Sequence, residues 1–191
     1  MSRNNFYFAL GEINLAQANK VIELANELNS IEDYMLHMYV RSDGGFADAR
    51  DIMVDILNRL NHTLYLAYAQ SSAFEMIYLL DGPVKIFDWS WGMYHKGTID
   101  VPYRDGLTES NMAKMKKQMS MYEHEKSYEM MERLDFTEKE FEDVRNEKDV
   151  YFDADRLRQL FSYKLLSGDE IGRHALLSLR IVTGKLFLCK N

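Results

Sequence analysis

The sequence predicts an α/β protein built on parallel strands. Short apolar runs alternate with helix-spaced apolar patterns through the first half of the chain, and strong turn chemistry separates them. Phe6 to Leu10 reads as a buried strand. Apolar residues at 15, 18, 21, 22, 25 and 28 then mark one helix face, with Asn14 placed to cap it. Tyr34 to Val40 is a second strand. Ser42-Asp43-Gly44-Gly45 is a turn, and Phe46, Ala49, Met53, Ile56, Leu57 and Leu60 form the next helical stripe. Leu64 to Ala69 is a third strand that runs directly into a short apolar helix opening at Ser71-Ser72. Val84 to about Trp89 is a fourth strand. Beyond it, Thr108 to Leu134 is one long helix crowded with Met, Lys and Glu, and Thr137 with Glu140 has the form of a capping box for another. Lys148 to Phe152 reads as a short strand, Asp153 to Phe161 as a helix, and the tail from Asp169 as a last helix carrying Ile171, Leu176, Leu179 and Val182.

Composition narrows the class. A chain of 191 residues with 47% hydrophobic and 28% charged residues can bury a core as one domain. A net charge of -7, with no basic stripe, argues against nucleic acid as a partner. Cys189 is the one cysteine, so no intrachain disulfide forms, and no Cys/His cluster suggests a metal. No stretch approaches a membrane span, and the opening apolar run is too short for a signal peptide. A cytoplasmic setting is the expectation, with no metal or organic cofactor.

Three positions attract chemistry because each follows a strand's carboxyl end. Glycines at Gly44-Gly45 let backbone N–H groups approach an anion, although a tight turn is the commoner reason for such a pair and the motif is weak by itself. Ser71 lies at a strand-to-helix junction where a hydroxyl can face a cleft, although serine often serves there only as a helix cap. A serine hydroxyl needs a base, and imidazole, with a pKa of about 6.5, is the usual one. Among five histidines, His37 lies inside a strand, His62 in a polar Asn-His-Thr turn, and His124 and His174 in charged helical segments. His95 alone follows a strand, in Gly92-Met93-Tyr94-His95.

These segments resemble the proteolytic subunit of the Clp protease. Val40-Arg41-Ser42-Asp43-Gly44-Gly45 is similar to its Ser-Pro-Gly-Gly strand end. Ala67-Tyr68-Ala69-Gln70-Ser71-Ser72-Ala73 is similar to its Gly-x-Ala-x-Ser nucleophile motif, and Trp91 to His95 to its base motif. Asn146 to Ala154 resembles its Arg-Asp-x-Phe-x-Ser-Ala segment, and Thr108 to Leu134 its long handle helix. The resemblance covers about residues 6 to 160. It implies a ClpP/crotonase-like fold of repeated β-β-α units with a projecting handle: one domain over 1–191, comprising a head at 1–106, the handle at 107–135, and the remaining head at 136–191. It implies a serine endopeptidase with Ser71 as nucleophile, His95 as base and Asp149 orienting the base. Backbone N–H groups of Gly45 and Ser72 would hold the oxyanion. Peptide or unfolded protein would be the substrate, within a homo-oligomeric ring; the handle methionines, Met112, Met115, Met119 and Met130, either meet a second subunit or form an ordinary core face.

Departures from the pattern keep alternatives open. Asp43 replaces the proline, placing a negative charge beside the expected oxyanion site, and Ala67 replaces the glycine of the nucleophile motif. Ser72 sits next to Ser71, Lys148 stands for arginine, and Phe161 falls where a glycine is expected. Asp153 and Asp155 rival Asp149. The short segment before the first strand argues against docking to an ATP-driven unfoldase and favours a compact variant similar to phage maturation proteases. A ClpP-like scaffold without activity, and an acyl-CoA enzyme of the crotonase type, are the competing functions.

Overall fold

The computed structural model describes residues 4–95, 97, 108–166 and 187–188. Among them the chain runs β1 (Asn4–Leu10), α1 (Leu15–Leu28), β2 (Tyr34–Ser42), α2 (Ala47–Leu57), β3 (His62–Gln70), α3 (Ser72–Leu79), β4 (Val84–Tyr94), α4 (Glu109–Arg133), α5 (Glu138–Arg145), β5 (Val150–Phe152), α6 (Ala154–Leu160) and β6 (Phe187–Leu188). The strands form a six-stranded sheet in the order β5-β4-β3-β2-β1-β6. β1 to β4 pair in parallel in consecutive order, each joined to the next by a helix, and β6 pairs antiparallel with β1. This is the alternation of strands and helices read from the sequence, and it makes an α/β fold.

The chain divides into two compact units, Met1–Met93 with Tyr151–Asn191, and Tyr94–Val150. In the first, α1 begins where Asn14 accepts the Gln17 N–H at 2.9 Å, a capping bond that satisfies one of the free donors of a helix start. Phe6, Phe8, Leu10, Leu36, Met38, Val40, Leu64 and Leu66 are buried, as are Val21, Leu24 and Leu28 of α1, Met53 and Leu57 of α2, and Phe74 and Ile77 of α3. The other pleat of the strands carries an aromatic row. Tyr7 stacks on His37, Tyr39 stacks on Tyr65, and the His37 ring nitrogens lie 2.9 Å from the Tyr65 hydroxyl and 3.0 Å from Asn5 Oδ1. Phe161 is fully buried, its ring 5.5 Å from that of Phe74, so an aromatic side chain fills core where the family pattern has glycine.

Two sequence expectations need correction here. β4 does not stop near Trp89 but continues to Tyr94 through an irregular stretch, because the Ser90 hydroxyl accepts the Phe87 N–H at 2.8 Å and donates to the Leu66 carbonyl at 2.5 Å. His62 is not in a polar Asn-His-Thr turn. It is the first residue of β3, paired with Leu36, and only 4% exposed. Its Nδ1 meets the Leu60 carbonyl at 2.9 Å, and a Cβ on Gly82 would come within 2.4 Å of its ring. Burial pulls its pKa below the usual imidazole value.

In the second unit, α4 opens at Thr108, whose hydroxyl accepts the Asn111 N–H, and α5 opens on the expected capping box between Thr137 and Glu140. Tyr94, Met130, Met131, Leu134, Phe136 and Val144 form its core. Met130 is 3% exposed, so the expectation that it meets a second subunit is corrected to a core position, whereas Met115 and Met121 are 37% and 56% exposed along α4. The tail helix expected from Asp169, with His174, and Cys189 lie outside the described residues, as does the side chain of His124.

Candidate active site

β2, β3 and β4 are neighbours in the sheet, and the chain leaves their carboxyl ends at Gly44-Gly45, Ser71 and His95. Ser71 and the glycines belong to the first unit, His95 and Asp149 to the second.

Ser71 has φ 51° and ψ -123°, a conformation that costs a residue bearing a Cβ on the order of 1–3 kcal/mol. Its N–H donates to the Met93 carbonyl at 3.0 Å and its carbonyl accepts the Glu75 N–H at 3.1 Å. The residue is thereby fixed between the end of β3, the end of β4 and the first turn of α3. It stands at the N-cap position of α3, yet its side chain makes no capping bond. A cap role therefore leaves its hydroxyl unexplained, and the sharp strand-to-helix turn is the geometry that lifts a nucleophilic hydroxyl out of a sheet.

Ser72, the neighbouring serine, has a different role. It is 5% exposed, and its hydroxyl donates to the Gly45 carbonyl at 3.1 Å.

The two glycines are dictated by close approach. Gly44 has φ 94°, and a Cβ there would come within 2.8 Å of the Gln70 carbonyl and 3.1 Å of Ser71 Cβ. Gly45 has φ 147°, and its Cβ would stand 2.0 Å from the Ile13 carbonyl oxygen. The Ile13 N–H donates to the Gly44 carbonyl and the Phe46 N–H to the Ile13 carbonyl, at 2.9 and 2.8 Å. These bonds hold the loop from one side, while the Gly44 N–H donates to Ser42 Oγ at 3.1 Å and the Gly45 carbonyl accepts from Ser72. Among the described residues no hydrogen bond engages the Gly45 N–H, and the Ser72 N–H, in the first turn of α3, has no intrahelical acceptor. Two unused donors beside a strained serine can receive a developing negative charge.

Asp43 is held as well. Its Oδ1 accepts from Gln70 Nε2 at 2.8 Å, so this carboxylate is tied to the residue before Ser71. The role of Gln70 is not visible in sequence, since nothing there pairs the ends of β2 and β3.

His95 is the first residue beyond β4, and its Nδ1 lies 3.9 Å from Asp149 Oδ1 with both side chains partly exposed. The rival aspartates are otherwise engaged. Asp153 caps α6 by accepting the Arg156 N–H at 2.8 Å, and Asp155 pairs with Arg158 at 2.7 Å.

Arg50 was not singled out by sequence reasoning. It lies buried on α2, with Nη1 bonded to Glu75 of α3 and Nε 2.8 Å from Asp51 Oδ1. At the other end of α3, the buried Lys164 Nζ donates to the Ile77 and Tyr78 carbonyls and to that of Leu80 at 2.9 Å. Burial pulls its pKa down to about 7, against the opposing pull of Asp81. Among the described residues no group of three or more His, Cys, Asp or Glu is placed to hold a metal ion, and no helix is long and apolar enough to cross a membrane.

The fold is an α/β fold of the ClpP type. Among solved structures, a ClpP1 point mutant from Listeria monocytogenes matches with a TM-score of 0.64 at 13% identity, over 85% of this chain and 92% of that one. No family model and no curated protein sequence matches the chain.

Proposed function

We propose that the protein is a serine endopeptidase in which Ser71 attacks the peptide carbonyl. The observation that carries this reading is the strained conformation of Ser71, with its hydroxyl released from capping at the end of β3. His95 accepts the Ser71 proton during attack and returns it to the leaving amine, and Asp149, beside Nδ1 of His95, fixes the imidazole orientation. The Gly45 and Ser72 N–H groups receive the oxyanion. The reading includes self-assembly into a ring through the exposed part of α4, a cytoplasmic setting, and extended peptide or unfolded protein as substrate.

The test is turnover of an unstructured protein such as casein by the assembled wild type, with Ser71→Ala as the control. Hydrolysis lost in that variant supports the proposal.

A second reading, a ClpP-like scaffold that does not catalyse, is favoured by one observation. The His95 to Asp149 separation of 3.9 Å is longer than a hydrogen bond. Normal assembly without turnover would select it.

A further inference from the structure

We infer that Arg50 is a positioning residue for Ser71: it shields the developing oxyanion from the Glu75 carboxylate and fixes α2 against α3. This inference rests on the function proposed above. Arg50 is 3% exposed, and a guanidinium withdrawn from water is tolerated only when paired. Its partner is not incidental. Glu75 lies one helical turn from Ser71, its N–H bonded to the Ser71 carbonyl, so its carboxylate hangs from the turn that carries the nucleophile. Arg50 in turn belongs to the first turn of α2, its N–H bonded to the carbonyl of Phe46, the residue after Gly45. The Arg50 to Glu75 bond therefore joins the helix start behind the oxyanion glycine to the helix start behind the serine.

A carboxylate carried on the same helical turn as the nucleophile opposes the build-up of negative charge there, and a cation bonded to it removes the opposition. In a partly buried setting the effect of one such charge is on the order of tenfold in rate. The Ser72 to Gly45 bond already ties the same two segments, so the ion pair contributes charge compensation in addition to position.

The experiment measures the rate at which a fluorophosphonate labels Ser71, alongside the melting temperature, in wild type, Arg50→Lys, Arg50→Met, Glu75→Gln and the double variant Arg50→Met/Glu75→Gln. Arg50→Met is expected to label about tenfold more slowly, Arg50→Lys to stay near wild type, and the double variant to recover most of the rate because the opposing charge is gone. Glu75→Gln, which keeps the cation, is expected to label at least as fast as wild type, and it serves as the deciding variant if Arg50→Met does not fold. Equal labelling of wild type and folded Arg50→Met overturns the inference. So does a folded double variant that stays as slow as Arg50→Met, or a folded Glu75→Gln that labels more slowly than wild type. Wild type that is not labelled at all overturns the proposed function and this inference together, which separates the two failures.

Discussion

The Ser72 hydroxyl donates to the Gly45 carbonyl at 3.1 Å, and this bond decides which of two adjacent serines is available for chemistry. A buried hydroxyl committed to a backbone acceptor cannot also be the nucleophile. The bond also holds the Gly-Gly loop against the start of α3. Ser72→Ala should lower stability by about 1 kcal/mol, the usual value of one hydrogen bond, while the phosphonate adduct stays on Ser71. Urea unfolding and peptide mapping of the adduct check both parts.

Strain at Ser71 predicts opposite effects on stability and activity. Glycine adopts φ 51° freely, so Ser71→Gly should abolish labelling and raise stability by about 1 kcal/mol. Ser71→Ala should abolish labelling without that gain, because alanine keeps the Cβ. Thermal unfolding of the two variants side by side gives the comparison.

Among the aspartates near the second half of the site, only Asp149 lies beside His95 in the described residues. Asp149→Asn should slow labelling by about 10²–10⁴-fold through loss of imidazole orientation. Asp153→Asn should leave the rate unchanged, since asparagine caps a helix as well as aspartate does, and Asp155→Asn should remove only an exposed ion pair. A rate loss at Asp153 with none at Asp149 would reassign the third member.

Lys164 predicts a pH dependence of stability. Its folded pKa of about 7 lies below the ordinary lysine value of 10.5. Between those values the unfolded chain binds more protons than the folded one, so stability rises with pH through that window. Tyr163, raised to about 12 by burial, acts in the opposite direction only above its ordinary value of 10.0. Urea midpoints should therefore climb from pH 7 to 9 in wild type, and Lys164→Met should flatten the climb.

Elements whose cause is local were legible in the sequence. The apolar spacing from Leu15 and the cap at Asn14 gave α1 its bounds, and Thr137 with Glu140 gave α5 its start. Features set by partners distant in sequence were not. The Ser90 bridge that carries β4 onward to Tyr94, the ladder that draws His62 into β3, and the Asp43 to Gln70 bond all join residues whose pairing only the folded sheet creates. The signal for Arg50 was present without an interpretation: it shares a helix face with Phe46, Met53 and Leu57, where a charge needs a buried partner, and Glu75 interrupts the apolar run of α3 in the same way. The positions of Ser71 and His95 at strand ends could be read from pattern. The left-handed backbone of Ser71 could not, because nothing in its local sequence demands it.

The most direct measurement is treatment of the folded wild-type protein with a fluorophosphonate, followed by intact mass and mapping of the modified peptide. A single adduct on Ser71 is expected, absent in Ser71→Ala and strongly slowed in His95→Ala. No adduct on the folded wild type, or an adduct that persists in Ser71→Ala, would contradict this expectation.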